Sequence, residues 1–88
     1  MSKIYFDSDA WSEYVYWQNQ DKKTLNRINN LIKDIERNGN AGIGKPEKLK
    51  GSLSGLWSRR IDSQNRLVYF LKGDTVEIVH CMGHYDDK

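Results

Sequence analysis

Cysteine, proline and long apolar runs are all scarce in this sequence, and each scarcity removes a class of protein. The one cysteine, Cys81, has no partner for an intramolecular disulfide, so the fold cannot rest on cross-links and suits a reducing compartment. It lies in an apolar, strand-like run and reads as a core thiol. No apolar stretch approaches the ~20 residues of a membrane span. Met1-Ser2-Lys3-Ile4 also lacks the apolar segment of a secretory signal. No membrane association and a cytoplasmic location are therefore expected.

Chemical motifs are missing as well. His80 and His84 stand four apart, outside any helical pattern, with no cysteine or carboxylate set at ligand spacing, so no metal site is expected. The P-loop, the dinucleotide-binding glycine pattern and Gly-x-Ser-x-Gly are all lacking. A metal-independent mechanism is the expectation. Nor does one sign of charge dominate: 14 basic against 12 acidic residues leave +2. Any anion-binding role must come from local clustering.

What the sequence does contain fits one domain spanning residues 1–88, since a chain of this length cannot bury two cores. Three Trp and five Tyr give that core large pieces to pack. Lys3-Ile4-Tyr5-Phe6 reads as a strand running into the N-cap residues Asp7-Ser8-Asp9. From Ala10 to Gln20, Trp11, Tyr14 and Trp17, with Val15, recur at helical spacing and read as a core stripe. Asp21 caps a second helix over 22–38, whose apolar face is Leu25, Ile28, Leu31, Ile32 and Ile35 and whose cations read as solvated surface. Asn38-Gly39 ends it.

Residues 40–53 hold Gly42, Gly44, Pro46 and Gly51 without periodicity, which predicts a long ordered loop. Three strands then follow over 56–61, 66–71 and 75–82, joined by Asp62-Ser63-Gln64-Asn65 and Lys72-Gly73-Asp74. The last residues, Asp86-Asp87-Lys88, read as a loose end. The fold class is α+β, with order β-α-α-β-β-β. Two helices pack on one face of a mainly antiparallel four-stranded sheet, and the other face is open or partly covered. A site belongs on that face.

The positive charge clusters along the chain between residues 45 and 66, where Lys45, Lys48, Lys50, Arg59, Arg60 and Arg66 stand against only Glu47 and Asp62. Alternation sends Arg59 and Arg60 to opposite sides of their strand. A five-residue hairpin loop places Arg60 opposite Arg66, whereas a four-residue loop pairs Arg66 with Ile61; the residues alone leave both registers open. An opposed pair of arginines is costly as pure structure and sensible as a phosphate clamp. Glu47 reads either as a loop ion-pair partner or as a general base, with Lys50 holding a phosphate beside it. His84 has the chemistry of an acid or base near neutral pH. Tyr85 suits base stacking or a phosphate hydrogen bond, or equally an apolar anchor for the tail.

At these residues the chain resembles the YoeB/Txe toxins, within the RelE-like superfamily of type II toxin–antitoxin systems. The resemblance rests on Trp11 with Tyr14-Val15-Tyr16-Trp17, Ile28 through Asp34, Gly44-Lys45-Pro46-Glu47, Leu53 through Ile61, Arg66-Leu67-Val68-Tyr69 and His84-Tyr85. It implies a ribosome-dependent endoribonuclease that cuts mRNA in the A site without a cofactor. The implied partners are the ribosome, mRNA, a cognate YefM/Axe-type antitoxin and a second copy in a homodimer. It also implies Glu47 as general base, Arg66 as phosphate-stabilising cation, His84 as general acid and Tyr85 as a substrate-contacting aromatic. Lys50 and Arg60 match further active-site cations, and Arg59 is carried beside them as a phosphate-binding candidate. Lys48 departs from the pattern, standing where a second proline is common. A non-catalytic RNA- or ribosome-binding module, or a corepressor, is the alternative; binding alone needs neither a base nor an acid.

Overall fold

A computed structural model describes residues 3–84. Strand β1 (Lys3–Phe6) leads into helices α1 (Ser8–Gln20) and α2 (Lys22–Asn38). Strands β2 (Glu47–Lys48), β3 (Trp57–Arg60), β4 (Arg66–Lys72) and β5 (Thr75–His80) complete the order. The expected α+β class is found, with one correction: the sheet has five strands rather than four, in the order β1-β5-β4-β3-β2. The additional strand is Glu47–Lys48, inside the segment read as pure loop. Two residues are too few to leave a period-2 signal. A short 3-10 helix (Gly51–Leu53) follows it.

The neighbours β2 to β5 run antiparallel, and β1 pairs parallel with β5, so among the described residues the first strand is paired with residues some seventy positions away. Helix α2 starts where Asp21 accepts hydrogen bonds from the N–H groups of Lys23 (3.1 Å) and Thr24 (3.2 Å). Those bonds hold the Asp21 carboxyl below the usual carboxylate range, the Thr24 hydroxyl contributing most. It stops at Gly39, whose φ of 65° turns the chain while its N–H still reaches Ile35 O at 2.8 Å. One face of the sheet receives the buried stripe Ile28, Leu31, Ile32 and Ile35, which meets Leu67, Tyr69, Val76, Ile78 and Cys81 in the core. Each fully buried aliphatic side chain there contributes about 1.5–3 kcal/mol.

Helix α1 departs from expectation. Tyr14 and Trp17 pack against the core, but Trp11 is 52% exposed and Val15 37% exposed. Trp11 instead stands edge-on to Phe6, ring centroids 5.9 Å apart. The Trp17 indole donates to Cys81 O at 2.9 Å, and Glu13 accepts from Cys81 N at 2.8 Å, which fastens the end of β5 beneath the helix. Cys81 is fully buried, as expected of a core thiol, and desolvation pushes its pKa up to about 12.

Candidate active site

The register of the hairpin between β3 and β4 decides what lies on the face away from the helices. Residues 61–65 form a five-residue loop, Arg60 stands opposite Arg66, and Ser58 stands opposite Val68. On the next strand out, Glu47 stands opposite Ser58. Directly paired residues share a face, and alternate residues along a strand return to it. Glu47, Ser58, Arg60, Arg66 and Val68 therefore share the face away from the helices. Two strand spacings and one two-residue step separate Glu47 from Arg66, about 12 Å between Cα atoms. Ser58 and Val68 are buried and make the floor; Glu47 and Arg60 are exposed and make the rim.

The loop of this hairpin is built around Asp62. Burial acts to raise the Asp62 pKa, but N–H donors of Gln64 (2.8 Å) and Asn65 (2.7 Å), with the Asn65 side chain, outweigh it and lower the value. The turn in turn fixes Arg66, whose Nη1 donates to Asp62 O (2.7 Å) and Asn65 O (3.2 Å). Arg66 is only 6% exposed, so its guanidinium is held rather than waving in solvent.

The chain after β5 returns to the same place. Arg66 N donates to Gly83 O at 2.8 Å, and Gly83 N donates to Asn65 Oδ1 at 2.9 Å. His84 follows, with its Nε2 3.1 Å from Arg66 Nη2. A guanidinium has donors only, so in this arrangement His84 Nε2 is the acceptor. Arg60, Arg66, Glu47 and His84 are thus brought to one face or directly to one another. Lys50 is exposed two residues beyond β2, at the entry to the 3-10 helix. Tyr85 and the tail 86–88 lie outside the described residues.

Arg59 is the correction within the candidate set. It is fully buried on the opposite face, ion-paired with Asp34. Its Nη1 also donates to Ile43 O (2.9 Å), and its Nη2 donates to Gly39 O (2.6 Å) and Ala41 O (2.7 Å). With Nε donating to the Tyr69 hydroxyl at 3.4 Å, all five N–H groups are engaged, so Arg59 has none to offer a substrate phosphate across the sheet. The hydrogen bond from Arg59 is the largest cause holding the Asp34 carboxyl below its ordinary value. Sequence reasoning assigned no role to Asp34 or Asn65, although both shape this region. The available signals were weak: an acid on the rim of α2 with Asn38 four residues on, and an asparagine closing a turn.

A family model described as "YoeB-like toxin of bacterial type II toxin-antitoxin system" matches residues 6–85. A toxin YoeB of Streptomyces coelicolor is 52% identical over 83 residues, 94% of this chain and 99% of that protein. A toxin YoeB of Escherichia coli K12 is 47% identical over the same shares. Among solved structures, the YoeB chain of a heterotetrameric YoeB–YefM complex from Staphylococcus aureus superposes with a TM-score of 0.90. It is 46% identical, covering 97% of this chain and 99% of that one. A YoeB dimer from the same organism matches with a TM-score of 0.90 and 47% identity, over 96% of this chain and 98% of that one.

Proposed function

The chain belongs to the YoeB-like toxins of bacterial type II toxin–antitoxin systems, and from that premise we propose that it is a ribosome-dependent mRNA endoribonuclease. The observation that carries this reading is the shared face: a carboxylate, two opposed arginines and an imidazole gather there, while the neighbouring Arg59 is spent on structure. Two opposed guanidinium groups are costly unless an anion lies between them. A phosphodiester seated there meets Arg60 from one strand and Arg66 from the next.

Glu47 takes the proton of the ribose 2′-hydroxyl as that oxygen attacks the adjacent phosphorus. Arg66, held by its turn, stabilises charge developing on the phosphoryl oxygens without having to reorganise. His84 delivers a proton to the departing 5′-oxygen. One product keeps a cyclic phosphate and the other gains a 5′-hydroxyl; the attacking and leaving oxygens both belong to the RNA, so the step consumes no cofactor. Both ring nitrogens donate in the imidazolium that serves as general acid, so the His84 ring turns away from the Arg66 donor as substrate arrives and delivers its proton as imidazolium. Lys50 contributes a further phosphate contact, and Tyr85 stacks on a base.

The ribosome supplies the positioning of mRNA that so small a face lacks. A YefM-type antitoxin neutralises the toxin, the toxin forms a homodimer, and the activity operates in the cytoplasm. Cleavage of a defined mRNA on programmed ribosomes tests the reading. Wild type cleaves, while folded Glu47→Ala and His84→Ala lose about 100- to 10,000-fold in rate. Folded wild type that binds ribosomes and leaves the mRNA intact overturns it.

A further inference from the structure

We infer that Arg59, working from the helix-covered face, is the positioning residue that sets Glu47 against the phosphate site. The inference rests on the proposed role of Glu47 as base and goes beyond it, because Arg59 touches neither substrate nor reacting atoms.

Glu47 has little of its own to hold it. It is exposed, it sits on a strand of two residues, and among the described residues that strand pairs only with β3. The chain reaches it from α2 through residues 39–46, which carry no regular structure. What fixes that approach is the buried arginine. Arg59 takes the carbonyls of Gly39, Ala41 and Ile43 and pairs with Asp34, which accepts from Ile43 N at 3.1 Å. Tyr69, whose hydroxyl is 3.4 Å from Arg59 Nε, donates to Asn40 Oδ1 at 3.1 Å. One side chain therefore organises three successive alternate carbonyls of the approach.

The next residue confirms how closely the loop is drawn in. Gly44 has φ 81°, and a Cβ there would lie 2.7 Å from Leu31 Cδ2 and 3.3 Å from Arg59 Cβ. Its carbonyl accepts from Arg60 N at 2.7 Å. Lys45 then adopts φ 52°, a left-handed conformation unusual for a residue with a side chain, directly before Pro46. Three residues after Gly44, Glu47 lands opposite Ser58, the residue immediately before Arg59. Arg59 thus belongs to the strand against which β2 pairs and also holds the segment that delivers β2, so its fork sets where along β3 the carboxylate arrives.

A double-mutant cycle separates positioning from general support of the fold. Arg59→Lys keeps the charge but loses the planar fork. In folded protein it lowers the single-turnover cleavage rate on programmed ribosomes about 10- to 100-fold at unchanged ribosome affinity. Placed on Glu47→Ala, the same change costs less than about twofold; placed on His84→Ala, it keeps its full cost. An equal loss in all three backgrounds, or no loss in folded Arg59→Lys, overturns the inference. If Arg59→Lys does not fold, Asp34→Asn and Tyr69→Phe carry the same cycle and are judged the same way. Wild-type cleavage by Glu47→Ala would instead remove the base assignment itself, a distinct result.

Discussion

Arg59 and Arg60 are neighbours on one strand and have opposite fates. Arg59 is fully buried beneath α2, with its donors divided among Asp34 and three carbonyls. Arg60 is exposed on the other face, opposite Arg66, and the structure fixes its main chain rather than its guanidinium: Arg27 Nη2 donates to Arg60 O at 3.0 Å. The same side chain is a strut on one side of the sheet and a free charge at the rim on the other. A two-faced sheet can therefore separate stability from chemistry residue by residue, and substitution should show it.

The sharpest break in the comparison is a pair of alanine variants followed by urea denaturation. Arg59→Ala is expected to cost about 3–5 kcal/mol, because it leaves buried carbonyls and an acid without their partner. Arg60→Ala stays within about 0.5 kcal/mol of wild type. On ribosomes Arg60→Ala instead loses about 10- to 100-fold in cleavage, the scale of one charged hydrogen bond. Equal losses of stability would erase the distinction between the faces.

Chemical labelling probes the covered face by a different route. Burial pushes the Cys81 thiol up to about 12, so alkylation by iodoacetamide at pH 8 should run at least about 1,000-fold slower in the folded protein than in the urea-unfolded chain. Gly44→Ala probes the seam between the faces. With φ 81° and Leu31 Cδ2 in the way, it is expected to cost about 1–3 kcal/mol by thermal denaturation. A neutral effect would mean that the loop entering β2 is looser than its contacts.

The smallest expected effect is acidic. The folded-state pKa of Asp34 is lowered from 3.8, chiefly by its hydrogen bond from Arg59. Its contribution is therefore complete above that ordinary value and is lost as pH falls through the lower folded value. Wild type should lose more stability across that window than Asp34→Asn, which has no carboxylate to protonate there. Parallel pH profiles for the two proteins would show that the ion pair adds nothing.

Much of this architecture was legible in the residues, and what was hidden has a physical cause. The bounds of α2 follow from Asp21 and Asn38-Gly39, since a cap and a stop act within one turn of chain. Alternation predicted that Arg59 and Arg60 diverge, and they do. It could not say which arginine turns inward, because that depends on α2 and the loop at 39–43 arriving above β3. The choice between hairpin registers likewise depends on Asp62 gathering the N–H groups of Gln64 and Asn65, a preference shared by many turn sequences. Strand β2 was invisible because its pairing comes from the approach loop rather than from its own two side chains. Trp11 and Val15 followed a helical period faithfully, but α1 turns only Ala10, Tyr14 and Trp17 of that stretch toward the core, so periodicity overstated their burial.

The parallel pairing of β1 with β5 gives this protein a built-in delay. Synthesised from the N-terminal end, the chain carries β1 unpaired until β5 exists, because β5 is what joins it to the rest of the sheet. The contact between Arg66 and His84 closes only after β5 as well. Contacts so distant in sequence are slow to form and leave strand edges bare meanwhile. A nascent copy cannot close the face that carries Arg66 until the chain through His84 has been made.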